Sequence, residues 1–171
     1  MNSRQERSRL LAKLFTGVPL LGRLWGRWAR IEQEAEIPWA PMTKPLQDCR
    51  VCLMTTGGLH LRTDQAFDMS DPEGDPTYRL IPGNARAEDL TITHNYYDHR
   101  DADRDFNILL PLDRLRELSA AGRIAGMTRK HYSFMGHIDG RHVPNLQQRV
   151  LPQLLADLSS EEPDFVFLTP A

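Results

Sequence analysis

The stretch PDFVFLTPA, residues 163–171, decides how this chain is read. Phe165, Val166, Phe167 and Leu168 form a continuous apolar run opened by Pro-Asp. That is the pattern of a strand buried on both faces, and such strands belong to parallel sheets covered by helices. Working back, VPNLQQRVLPQLLADLSS (143–160) reads as a helix with Leu146, Val150, Leu154 and Leu158 on one face, kinked by Pro152. HYSFMG (131–136) and RIAG (123–126) are short elements. FNILLPLDRLRELSAAG (106–122) runs into a helix from Leu112 to Ala121 that Gly122 ends. DLTITH (89–94), TYRLIP (77–82) and RVCLMTTGGLH (50–60) supply further strands. The alternation predicts an α/β fold with a mainly parallel sheet and flanking helices.

With 171 residues, 40% hydrophobic and 26% charged, the chain has the length and composition of one soluble domain. The net charge of -2 hides an asymmetry. Of 21 basic and 23 acidic residues, the first thirty positions hold seven and one, which leaves 14 and 22, or a net of -8, for the rest. A basic arm precedes an acidic domain. Within that arm, residues 3–15 and 20–36 read as helices broken by Gly17 and Pro19. Leu21, Leu24, Trp25, Trp28 and Ile31 recur at helical spacing with Arg23, Arg27 and Arg30 largely elsewhere. Residues 20–31 therefore offer an apolar face to the domain, to a partner or, peripherally, to an anionic membrane surface. The division expected is an arm over 1–37 and an α/β domain over 38–171, with EIPWAPMTKPL (36–46) as a Pro-rich lead-in. Lys13 interrupts the one stretch that imitates a signal peptide, and GRLWGRWAR (22–30) offers no small-residue cleavage site. No apolar stretch approaches the roughly 18 residues of a membrane span. With two cysteines only, a cytoplasmic protein is expected.

In open α/β sheets ligands bind beyond the carboxyl ends of the strands. One strand here ends in Thr55-Thr56-Gly57-Gly58 and another in Thr169-Pro170. Glycines let a backbone approach a ligand and bare N–H groups hold anions, but Gly-Gly after a strand is also simply a turn. Cys49 and Cys52 spell C-x-x-C, yet in a strand positions three apart face opposite ways, which makes them core or edge cysteines. His94 and His99 flank NYYD (95–98), near Asp98, Asp101, Asp103 and Asp105; the spacing matches no strong zinc pattern, and no metal is expected. Arg79, beside the Gly74-Asp75-Pro76 turn, has two readings: a bidentate grip on a carboxylate, or a structural lock with Asp75.

Taken in order, KPLQDCRVCLMTTGGLHL, FDMSDPEGDPTYRLIP, DLTITHNYYDHRDADRDFNILLPLDRLRELSAAGRIAG, HYSFMG and DFVFLTP resemble the selenoprotein B subunits of the glycine, sarcosine, betaine and D-proline reductases over residues 44–171. The resemblance implies a reductase that cleaves a C–N bond of a small amino-acid-like substrate, working with other subunits and a dithiol donor. It also implies a selenocysteine or cysteine redox motif following a strand like DFVFLTP. That places the redox residue beyond Ala171 and reads the end of the chain as a UGA codon. No cofactor is expected within these residues. The resemblance draws Thr55, Thr56, Gly57, Gly58, Arg79 and Thr169 into the substrate pocket, with His94 as a proton donor. Two other classes stand beside this one. A non-catalytic binding module would use Thr55–Gly58, and a metal-dependent hydrolase would use His94, Asp98 and His99. No nucleic-acid partner is expected.

Overall fold

A computed structural model of the chain describes residues 40–171. The expected helices over 3–15 and 20–36, the surface of residues 20–31 and the boundary at 37 lie outside the described residues. The chain divides into two compact units. Met42–His94 with His99–Ala171 forms one unit and holds every element named below.

In chain order the elements are β1 (Arg50–Thr55), β2 (Leu59–Leu61), β3 (Tyr78–Pro82), β4 (Leu90–Ile92), α1 (Leu112–Ala120), β5 (Gly126–Met127), β6 (Lys130–Phe134), α2 (His142–Asn145), α3 (Leu151–Glu161) and β7 (Phe165–Thr169). β1 lies at the centre of the main sheet. β7 runs parallel to it without a break, Val51 opposite Phe165 through Thr55 opposite Thr169. The other edge of β1 is shared by β5, opposite Arg50 and Val51, and β6, opposite Met54 and Thr55, both parallel. β3 closes that side antiparallel to β6, so the fold is α/β with a mostly parallel sheet. β2 and β4 form a separate antiparallel pair.

The alternation along β1 divides two apolar clusters. Val51 and Leu53 join Ile81, Leu110, Leu112, Leu115 and Ile124 on one face. Cys52 joins Tyr132, Phe134, Val150 and Leu154 on the other. A strand covered on both faces needs apolar residues at successive positions, which is why RVCLMT shows no polar alternation. Cys49 stands just outside β1, its thiol directed at the Lys44 and Pro45 carbonyls. Both cysteines are buried and unpaired.

Two expectations change. The 143–160 helix is interrupted not at Pro152 but just before it, by a π-helical turn over Leu146–Val150. Pro152 supplies no N–H and its ring crowds the carbonyl four residues back, so the ladder loosens ahead of it. β7 is not buried on both faces: Phe167 is 49% and Leu168 64% exposed. It pairs β1 on one side and, among the described residues, has no strand on the other. Its apolar run is that of an interior strand placed at an edge.

Candidate functional site

The carboxyl ends of β1, β6 and β7 meet. Thr55 Oγ1 donates to the Thr169 carbonyl at 3.0 Å and the Thr56 N–H to the same oxygen at 3.2 Å. Thr169 Oγ1 donates to the Leu109 carbonyl at 2.5 Å, and the Ala171 N–H to Thr56 Oγ1 at 3.2 Å. The Gly58 N–H reaches the Phe134 carbonyl at 2.9 Å, while the Gly58 carbonyl accepts from Thr93 N–H at 2.9 Å. The Gly57 N–H donates to Thr55 Oγ1 at 3.2 Å. The amides of Thr56, Gly57 and Gly58 are thus spent inside the protein, and an anion cradle is not what this turn builds. Its glycines serve close approach instead. Gly58 sits at φ +70°, and a Cβ there would lie 2.5 Å from the Thr93 carbonyl oxygen. A Cβ on Gly136 would lie 2.6 Å from the Thr56 carbonyl, so the turns after β1 and β6 touch through bare backbone.

His94 follows β4 and is buried beside this junction. Burial, seconded by the nearby His99, pushes its pKa down to about 4, against a hydrogen bond with the Met135 backbone that works the other way; His137 adds to the depression. His94 is therefore a neutral imidazole at pH 7 and does not carry the imidazolium proton expected of a donor. His137 donates from Nε2 to the Pro72 carbonyl at 3.0 Å, and His99 Nδ1 lies 2.7 Å from Asp103 Oδ2.

Arg79 is turned away from this junction. Its donors go to the carbonyls of Gln65, Ala66 and Tyr78 and to Thr77 Oγ1. Asp75 lies 3.6 Å away, and the guanidinium stacks 4.3 Å from the Phe67 ring centroid. Of its two readings, this geometry is that of the lock. Arg79 and Leu80 line an open groove of about 600 Å³ with Asp64, Asp68, Asp71 and Asp75. At one end Asp71, Glu73 and His142 bring ligand atoms within 4.8 Å of one another, a grouping distinct from the His94, Asp98 and His99 set. Arg141 already bonds to both carboxylates, and His142 Nε2 lies 3.0 Å from Asp71 Oδ2. The cluster is a clasp in which one guanidinium holds both carboxylates.

One residue escaped the sequence reading. Ser133 is opposite Thr55 on one side and Arg79 on the other, and Thr55 is opposite Thr169. Four polar side chains thus share one face across four strands, and only strand order brings them together. The Ser133 hydroxyl is fully buried with no hydrogen-bond partner among the described residues. No redox-competent thiol joins the site: burial lifts the Cys52 pKa to about 11, and Cys49 is fully covered.

The profile described as Glycine/sarcosine/betaine reductase selenoprotein B (GRDB) matches residues 21–170. The chain is 34% identical over 131 residues to the D-proline reductase subunit gamma of Acetoanaerobium sticklandii, which covers 77% of this chain and 52% of that protein. It is 29% identical over 139 residues to the glycine reductase complex component B subunit gamma of Carboxydothermus hydrogenoformans, 78% of this chain and 30% of that one. The chain thus spans about half the length of the first relative and less of the second. No solved structure matches it. Homology over most of its length, joined to an α/β sheet whose strand ends converge on Thr56, Thr169 and His94, places the chain in the glycine/sarcosine/betaine reductase selenoprotein B family.

Proposed function

We propose that this chain forms the substrate-binding part of a selenoprotein B-type reductase that cleaves the C–N bond of a small amino-acid-like molecule. The observation that carries the reading is chemical: the strand ends form a polar junction, but both cysteines are sealed in the core. The nucleophile is therefore supplied by a selenocysteine or cysteine beyond Ala171. A selenolate or low-pKa thiolate is the reactive form at neutral pH. Overall, the C–N bond is replaced by a C–H bond: nitrogen leaves with the bonding pair and takes up a proton, carbon gains two electrons and a proton, and the donor dithiol that supplies those electrons becomes a disulfide. Thr56 and Thr169 border the pocket where substrate is held, and neutral His94 offers hydrogen bonding rather than a stored proton. Both relatives are named as subunits of larger enzymes, which supports partner subunits here. No helix among the described residues is long and apolar enough to cross a membrane, in keeping with a cytoplasmic setting.

The test is to sequence the genomic DNA past the Ala171 codon and to label the native polypeptide with radioactive selenium. An in-frame UGA followed by x-x-Cys, with label in a longer polypeptide, is the expected result. A different stop codon together with an unlabelled polypeptide sinks the catalytic reading and leaves a binding module.

A further inference from the structure

At the carboxyl end of β7 the chain is steered by side chains rather than by the sheet. The β1–β7 ladder closes where the Thr56 N–H reaches the Thr169 carbonyl at 3.2 Å, with Thr55 Oγ1 on the same oxygen at 3.0 Å. Pro170 follows and has no N–H to donate. The first amide after the sheet is that of Ala171, and it goes to Thr56 Oγ1 at 3.2 Å. The direction of the chain past Thr169 thus hangs on one hydroxyl of the neighbouring turn.

Thr56 is itself firmly placed. Its N–H is fixed on Thr169, and its carbonyl lies against Gly136, where an added Cβ would come within 2.6 Å of the oxygen and 3.1 Å of Thr56 Cβ. A β-branched side chain on so fixed a backbone keeps few χ1 choices. Thr169 is pinned through its side chain too, Oγ1 donating to the Leu109 carbonyl at 2.5 Å. Thr56 is half-buried and Ala171 exposed, and one neutral hydrogen bond near solvent adds little to global stability. What this bond fixes is a position.

We propose that Thr56 is a positioning residue. Its hydroxyl sets the path by which the polypeptide leaves β7, and with it the place of the redox residue beyond Ala171 relative to substrate at the strand ends. The inference rests on the reductase reading, and it assigns the hydroxyl to the protein's own backbone rather than to substrate. A nucleophile must come within about 3–3.5 Å of the reacting atom with orbitals aligned, and a displacement of about 1 Å costs on the order of 100-fold in rate. Thr56→Val keeps the side-chain shape, the bond from the Thr56 N–H and the Gly136 contact, and removes the acceptor. Thr56→Ser keeps the acceptor.

The test uses the full native polypeptide with its partner subunits, dithiothreitol as donor, and glycine, sarcosine, betaine and D-proline in turn. Thr56→Val is expected to lower kcat by about 10–100-fold with KM within about twofold of the parent, and Thr56→Ser to restore most of the loss. Amide hydrogen exchange is read alongside. The Ala171 N–H is expected to exchange faster in Thr56→Val, while the amides of β1 and β7 keep their protection. A Thr56→Val enzyme with the kcat of the parent overturns the proposal and leaves the reductase reading in place. A raised KM at unchanged kcat also overturns it, since the hydroxyl would then bind substrate. So does a loss that Thr56→Ser fails to restore, or one that comes with faster exchange throughout β1, because either marks a merely structural residue. A parent that turns over none of the four compounds sinks the reductase reading itself, and this proposal falls with it.

Discussion

His131 does the work of a backbone group. Between β5 and β6 the chain departs from β1, and the Leu53 N–H is left facing the gap. The His131 ring fills it, Nδ1 accepting from Leu53 N–H at 3.0 Å. That bond requires Nδ1 to be bare, so the ring is neutral with its proton on Nε2. Burial, with the Arg116 charge nearby, pushes its pKa down to about 4, in agreement with the geometry. Replacement by Leu fills the volume but leaves the Leu53 N–H without a partner inside the sheet. His131→Leu is expected to lose about 1–3 kcal/mol by urea denaturation. His131→Asn, whose Oδ1 occupies the place of Nδ1, is expected to recover part of the loss. Equal stability of the Leu variant and the parent would show that the rung carries no weight.

Turns and helix ends, rather than the strands, hold the most strained backbone. α3 ends on Glu162 at φ +50°, a left-handed cap that suits glycine better than any residue with a Cβ. Glu162→Gly should stabilise the protein by about 1 kcal/mol, read as a rise of roughly 2–4 °C in Tm. The opposite result is expected at Gly74, where φ is +88° and a Cβ would lie 1.7 Å from the His137 carbonyl oxygen. Gly74 bridges to Ile138, beside the Arg141 clasp on Asp71 and Glu73. Gly74→Ala is therefore expected to cost about 2–3 kcal/mol or more, with hydrogen exchange accelerating over residues 64–80. Protection that stays unchanged there would mean the loop absorbs the methyl group by shifting.

At the scale of the whole molecule, two buried histidines set the acid side of the stability curve. His94 and His131 both have pKa values near 4 in the folded protein. In the unfolded chain each takes up a proton near pH 6.5. The unfolded state thus binds more protons between those values, and the stability these groups provide is complete above about pH 6.5 and lost as pH falls toward about 4. Each contributes roughly 3 kcal/mol at most. Urea denaturation between about pH 7.5 and pH 4.5 should show that decline, and His131→Asn should flatten it by about half. A parent curve flat across that interval would refute the assignment of both rings as neutral.

The elements themselves were readable along the chain, because what specifies them is local. Apolar runs bounded by Gly and Pro marked β1, β3 and β7, and three- and four-residue periodicity with Gly122 as a stop marked α1. The convergence of Thr55–Gly58 and Thr169 followed from the same reading, since parallel strands present their carboxyl ends on one side of a sheet. What no local pattern contains is which strand lies beside which. Pairing is a contact between residues up to a hundred or more positions apart, and its register sets every neighbour on both faces. Only the folded sheet therefore put Ser133 between Thr55 and Arg79, gave Leu53 a histidine for a hydrogen-bond partner, and consumed the amides of the Thr-Thr-Gly-Gly turn. The same holds for β7: its residues dictate a strand meant for neighbours on both sides, while among the described residues the tertiary structure gives it one, β1.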